Sequence, residues 1–263
     1  MSSNLLWSAL HPATTRSTVP LWLGVLALVL LAVFMPPLAQ APHFHDFADQ
    51  RSWLGLPCAL DVLSNLPFAL FGLLGLHVLG RVPALALERT QRQLAALFFA
   101  GLILTALCSA WYHWQPDNAG LVVDRLGMTV AFAGLLGLGV ATHVSSRAAW
   151  GLVLAVLLCG PLSVVVWSKS GNLLPWALLQ GGGMVLLVVL AVLKPLPGAL
   201  ALRWGAVIGI YAVAKALERY DTAVFQWTGQ LVSGHSLKHL VAAFAAWPVI
   251  QALRSLVQNA NQP

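Results

Sequence analysis

The chain has 263 residues, of which 59% are hydrophobic and only 8% are charged. Soluble domains carry roughly 25% charged residues, so this composition excludes a soluble enzyme with a single anchor and indicates an integral membrane protein. The net charge of +6 does not indicate nucleic-acid binding, because the basic residues are scattered between apolar segments and form no run.

Eight apolar segments are candidates for membrane-spanning helices, since a bilayer core of about 30 Å needs roughly 20 apolar residues. They cover about residues 20–38, 59–80, 92–113, 120–142, 148–167, 173–193, 200–219 and 235–256. The connections are short, so we expect neighbouring helices to pack antiparallel in one bundle. The sequence therefore predicts an all-α membrane protein without a second soluble domain.

The first segment has two interpretations. Arg16, the apolar stretch 21–34 and Ala39-Gln-Ala41 resemble a cleavable signal peptide. Pro42 directly after the cleavage position and the long leader favour a retained helix instead. We therefore divide the chain into a leader with an extra transmembrane helix over 1–43, a main domain over 44–258 and a tail over 259–263.

The basic residues predict the orientation of the bundle. With the N-terminus in the cytoplasm, most arginines and lysines fall in cytoplasmic connections, whereas Glu88 is the only acidic residue on that side. The positive-inside rule thus favours cytoplasmic termini. His113, Asp124, His235 and His239 then lie at one depth on the non-cytoplasmic side. Three further polar residues on the second segment reach the same level: Asp61, Ser64 and Asn65.

These residue types are suited to a hydrolytic zinc site. His235 and His239 have i, i+4 spacing, which places both imidazoles on one helix face, and Ser109 has the same relation to His113. Three imidazoles leave zinc an open position, where the pKa of a bound water falls from about 15.7 to about 7. Asp124 would orient that water or accept its proton, and Ser109 would donate a hydrogen bond to a developing oxyanion.

The same motifs resemble the alkaline ceramidase family, which belongs to a membrane-hydrolase superfamily that includes the adiponectin receptors. The resemblance rests on Ser109-x-x-x-His113, Asp124 and Gly234-His235-x-x-x-His239, together with the Asp61-Val-Leu-Ser-Asn65 element. It covers about residues 44–256. The fold it implies is a seven-helix ceramidase-like bundle, to which the first segment adds one N-terminal helix.

The resemblance also implies an activity, namely a zinc-dependent amidase that cleaves the N-acyl bond of ceramide or a similar lipid amide to fatty acid and amine. His113, His235 and His239 would be the zinc ligands, Asp124 would bind or activate the water, and Ser109 would assist. We expect such a protein in a bacterial inner membrane, with the site on the non-cytoplasmic side. The apolar tails of the substrate would lie between the helices.

Family members also have an acidic calcium site just before the first core helix. Asp46 and Asp49 are its counterparts here, but Cys58 stands where the family has Glu. Calcium is therefore a second, weaker expectation beside zinc.

Other interpretations remain open at this point. The histidines would also suit helix ends at the lipid interface, or a metal-binding receptor-like protein with little turnover. His77 and His143 lie near the cytoplasmic helix ends and are candidate axial ligands of a haem. A transporter is less favoured, because no inverted repeat is visible. The sequence gives no indication of the oligomeric state.

Overall fold

The computed structural model describes residues 16–260 and is all-α over that part of the chain. Its eleven helices are α1 (Val19–Phe34), α2 (Ala59–Leu63), α3 (Leu66–Arg81), α4 (Arg89–Trp114), α5 (Asn118–His143), α6 (Ser146–Ser170), α7 (Leu174–Val192), α8 (Trp204–Arg219), α9 (Asp221–Trp227), α10 (Gly234–Phe244) and α11 (Trp247–Ala260).

Six helical stretches are long and apolar enough to cross a membrane, which confirms the predicted fold class. They are Ala59–Arg81, Arg89–Trp114, Asn118–His143, Ser146–Ser170, Leu174–Val192 and Gly234–Ala260. The first and last each consist of two successive helices, α2 with α3 and α10 with α11.

The first and seventh predicted segments are helical but shorter than expected. Both α1 and α8 have 16 residues. Helix α1 ends at Phe34 because Pro36 forces Met35 into an extended conformation. Helix α8 begins only at Trp204, after the loop that contains Pro195 and Pro197. The count of full-length spans is therefore six within residues 16–260, not eight.

Backbone hydrogen bonds between connections show that the helices alternate in direction. At one end Leu173 donates to Leu38 (2.7 Å), and at the other Leu196 donates to Thr142 (2.8 Å). We call the first the histidine end, because α4 finishes there at His113 and α10 starts there. We call the second the arginine end, after the basic residues in its connections: Arg81, Arg89, Arg92, Arg147 and Arg203.

Close packing of α4 against α5 sets the geometry of the histidine end. A side-chain carbon at Gly101 would overlap the backbone of Ala131, and one at Gly134 would overlap the backbone of Phe98. Small residues at helix crossings allow such close approach in membrane proteins. The approach holds the end of α4, with its histidine, beside the start of α5.

Candidate metal centre

Three histidines from distant parts of the chain converge at the histidine end. His113 lies in the last turn of α4, and His235 and His239 lie in the first turns of α10. Their exposed fractions are 1%, 6% and 4%, and one ligand nitrogen from each lies within 4.8 Å of the others. The predicted cluster is therefore present and could hold a metal ion.

The start of α10 is determined by a side-chain cap. The Ser233 hydroxyl accepts a hydrogen bond from the Ser236 backbone N–H (2.9 Å), which satisfies one of the unpaired donors of the first turn. The cap starts the helix one residue before His235, so that the i, i+4 spacing presents both imidazoles on one face.

The distance between two of the imidazoles fits a shared cation. Nε2 of His235 lies 3.3 Å from Nε2 of His113. Two ligands about 2.0–2.1 Å from a tetrahedral zinc lie roughly 3.3–3.4 Å apart. The same distance also fits a hydrogen bond between the two rings, so it permits a shared cation without requiring one.

A hydroxyl next to the third imidazole favours one of its two tautomers. The Ser64 hydroxyl donates to the Asp61 carbonyl oxygen (3.0 Å) and lies 2.8 Å from Nδ1 of His239. Because its proton is used, Ser64 accepts from the protonated Nδ1. The Nε2 lone pair of His239 is then free to bind a metal, an orientation typical of histidine ligands.

The other two residues of the second-segment motif serve the scaffold. The Asp61 carboxylate accepts hydrogen bonds from the hydroxyls of Ser236 (2.6 Å) and Ser233 (3.4 Å), and so ties α2 to α10. The Asn65 amide donates to the Asp61 carbonyl oxygen (2.8 Å). Of the three predicted supporting residues, Ser64 alone forms a hydrogen bond with a cluster histidine.

Asp124 and Ser109 are neighbours at the same end of the bundle. Both are buried, the Ser109 hydroxyl adjoins the Asp124 carboxylate, and Oδ1 of Asp124 has no hydrogen-bond partner. Ser109 is one helical turn from His113. Among the described residues no hydrogen bond joins Asp124 to a cluster histidine, so its predicted catalytic role stays a prediction.

Arg125 turns away from the cluster. Its guanidinium lies 4.0 Å from the ring centroid of Trp167 and donates to Gln40 (2.7 Å). The guanidinium is thus held by a cation–π contact and an amide. It does not pair with Asp124.

A residue that the sequence did not single out covers the cluster. The Phe47 ring lies 4.2 Å from the ring centroid of His235 and 4.8 Å from that of His113. Its segment is tied to α10 by Asp221, whose carboxylate accepts from the backbone N–H groups of His235 (2.7 Å) and Ala48 (3.0 Å). Phe47 is one of two phenylalanines in this loop, and no pattern in the sequence distinguished it from Phe44.

The two predicted calcium ligands have separate partners. Asp49 is buried and receives two hydrogen bonds from the Arg51 guanidinium, at 2.7 and 2.6 Å. Burial alone raises the pKa of Asp49, but the hydrogen bonds and charge of Arg51 outweigh it, and the net pKa lies below its ordinary value. Asp46 is exposed and pairs with His43 (2.8 Å). Calcium stays a prediction that this arrangement does not support.

The histidines of the haem alternative differ in environment. His143 is buried, and its Nδ1 lies 3.0 Å from the carbonyl oxygen of Gly139 in its own helix. His77 is exposed on the surface of α3. One of the two is thus held by its own helix and the other faces outward, which gives no support to a shared haem.

A cavity of about 600 Å³ opens at the histidine end, beside the cluster rather than on it. Its lining includes His45, whose ring bonds the Tyr112 hydroxyl (2.8 Å), and Tyr112 in turn packs against Phe47. Phe47 and Tyr112 therefore separate this cavity from the three imidazoles.

No protein-family model matches the chain, and no curated protein matches it at a significant level. The resemblance to alkaline ceramidases consequently rests on the motifs of the sequence alone.

Proposed function

We propose that the protein is a zinc-dependent membrane amidase that hydrolyses the N-acyl bond of ceramide or a similar lipid amide. The observation that carries the proposal is the buried set of three imidazoles, with two Nε2 atoms 3.3 Å apart. A buried set with no carboxylate among its ligands suits zinc. When bound, zinc would polarise an amide carbonyl and lower the pKa of a coordinated water to about 7.

The residues around the cluster have distinct roles in this proposal. Ser64 holds His239 in the tautomer that leaves Nε2 free. Oδ1 of Asp124, an acceptor without a partner, takes a proton from the attacking water and returns it to the leaving amine nitrogen. Ser109 donates a hydrogen bond to the amide oxygen as negative charge develops on it. The products are one fatty acid and one amine.

Substrate access requires movement of Phe47, because its ring covers two of the imidazoles. The acyl chain would then lie against apolar helix faces, with the amide at the metal. The charge bias between the two ends supports cytoplasmic termini and a site on the non-cytoplasmic side of a bacterial inner membrane.

The test is metal analysis and hydrolysis on the same purified sample. We expect about one zinc per chain and release of fatty acid from labelled ceramide. A His235→Ala/His239→Ala double variant should lose both, whereas Asp124→Asn should keep zinc and lose hydrolysis. His77→Ala, which changes an exposed histidine, is the matched control. Wild-type protein without metal would refute the mechanism.

A metal-binding receptor-like protein is the second candidate, and the cover formed by Phe47 favours it. A site that binds metal without turnover has no need of an opening for a carbonyl group. Bound zinc with no release from ceramide or other N-acyl lipids would select this candidate.

A further inference from the structure

A second polar cavity lies at the arginine end, between α7, the start of α8 and α11. Its volume is about 670 Å³, within the range of 300–1,000 Å³ typical of small-molecule sites. Its polar lining consists largely of hydrogen-bond donors and includes no carboxylate: Arg203, Trp204, Gln251, Arg254, Ser255 and Gln258.

The two arginines of this cavity are not neutralised within the described part of the chain. The guanidinium groups of Arg203 and Arg254 form no salt bridge and no hydrogen bond with residues 16–260. The Arg254 guanidinium lies 4.8 Å from the ring centroid of Trp247. Such stacking uses the face of the guanidinium and leaves its edge free to donate.

A buried donor in the same lining also lacks a partner. Trp204 is 4% exposed, and no residue of the described chain accepts a hydrogen bond from its indole N–H. That nitrogen is inaccessible to solvent, so the two arginines, not Trp204, would contact a ligand in the cavity.

The surroundings reinforce the positive character of the cavity. Glu88 is the only carboxylate of residues 16–260 at the arginine end, and it already accepts from the Gln91 backbone N–H (3.0 Å) as the cap of α4. Arg16 donates to the carbonyl oxygen of His143, another residue of the lining. No carboxylate of residues 16–260 therefore opposes an anion that enters this cavity.

We infer that this cavity binds the phosphate headgroup of an anionic phospholipid. A single arginine can form two parallel hydrogen bonds with one phosphate. Basic pockets between transmembrane helices on the cytoplasmic side bind such headgroups. A lipid fits better than a free anion, because Ala191 and Leu193 of the lining continue into the apolar exposed face of α7, formed by Val188, Val189 and Val192. That face would receive the acyl chains.

The cavity and the histidine cluster lie at opposite ends of the α10–α11 stretch. The site is therefore independent of the proposed hydrolase activity. The test measures the thermal unfolding midpoint of the full chain in a neutral detergent. Short-chain phosphatidylglycerol is compared with phosphatidylcholine of the same chain length and with inorganic phosphate. We expect phosphatidylglycerol well above its Kd to raise the midpoint by roughly 4 °C or more, and the other two to have little effect.

The variants locate the effect. Arg203→Gln/Arg254→Gln should weaken phosphatidylglycerol binding at least tenfold and leave the zinc content unchanged. Arg81→Gln/Arg147→Gln removes the same charge from exposed sites at the same end and should bind as the wild type does. Should the first variant not fold, the single variants Arg203→Gln and Arg254→Gln should each weaken binding.

Three results would overturn the inference. They are an equal shift with phosphatidylcholine, an equal shift with phosphate alone, and an equal loss in the control variant. An equal shift with phosphatidylcholine would show that the site does not prefer an anionic headgroup. An equal shift with phosphate would show that no lipid is needed, and an equal loss in the control variant would show that the lipid does not bind in this cavity.

Discussion

The Ser64 hydroxyl lies 2.8 Å from Nδ1 of His239 and donates its own proton to the carbonyl oxygen of Asp61. This chain of two hydrogen bonds makes the serine an acceptor for the imidazole. It thereby connects the backbone of α2 to the His239 imidazole of α10, although Ser64 and His239 are far apart in sequence.

Replacing Ser64 by alanine should weaken metal binding without unfolding the protein. Loss of a hydrogen bond to a metal-bound histidine typically costs about 10- to 100-fold in metal affinity. Competition with a zinc chelator measures the change. Ser163→Ala is the matched control, because the Ser163 hydroxyl is buried but bonds only its own helix. An unchanged zinc affinity in Ser64→Ala would contradict the tautomer assignment.

Replacing Phe47 by alanine should open the cluster to solvent. The ring packs on two imidazoles, so its removal should accelerate zinc loss to a chelator by at least several-fold. The control is Phe44→Ala, which removes a ring from the same loop that does not lie on the cluster. Equal rates of zinc loss in the two variants would show that Phe47 does not cover the site.

Asp221→Ala should destabilise the protein, because one carboxylate accepts hydrogen bonds from two separate backbone N–H groups. Hydrogen bonds to charged groups contribute about 1.5–3 kcal/mol each, and the loss of Asp221 should cost about 2 kcal/mol or more in the free energy of unfolding. Denaturant unfolding of detergent-solubilised protein measures this. Asp46→Ala, at an exposed ion pair, should change stability little.

Acidification should destabilise the protein, because it protonates the carboxylate of Asp49. Its pKa in the folded protein lies below the ordinary value of 3.8, so it contributes stability above pH 3.8 that is lost as the pH falls through the folded pKa. Asp49→Asn should therefore be less stable than the wild type at pH 7, and the difference should shrink below about pH 4. A difference that stays constant between pH 7 and pH 3 would contradict this.

Short-range patterns in the sequence were sufficient for much of the architecture. Hydropathy placed the helices, because the cost of exposing polar groups to lipid acts on every residue separately. The i, i+4 spacing of His235 and His239 predicted their common face, and alternation of the spans brought His113 to the same end. The two short helices were overextended, because apolar residues continue past Phe34, where Pro36 ends the helix, and also precede Trp204, where residues 200–203 are not helical.

Contacts between distant segments were beyond such patterns. The sequence placed Asp61, Ser64 and Asn65 together, yet only packing decided that Ser64 meets a histidine while the Asp61 side chain meets two serines. Arg51 lies two residues from Asp49, so that ion pair joins near neighbours in the sequence. The position of Phe47 over the imidazoles, in contrast, depends on contacts between its loop and distant helices.

The sequence by itself determined a polytopic helical protein with three histidines at one depth, since hydropathy and helical periodicity are properties of neighbouring residues. The tertiary structure alone decided that two imidazole nitrogens stand 3.3 Å apart, that a third is oriented by a serine, and that a phenylalanine covers them. Those distances depend on how α10 packs against α2, α3 and α8, where the fit of two surfaces, rather than any local preference, sets the approach.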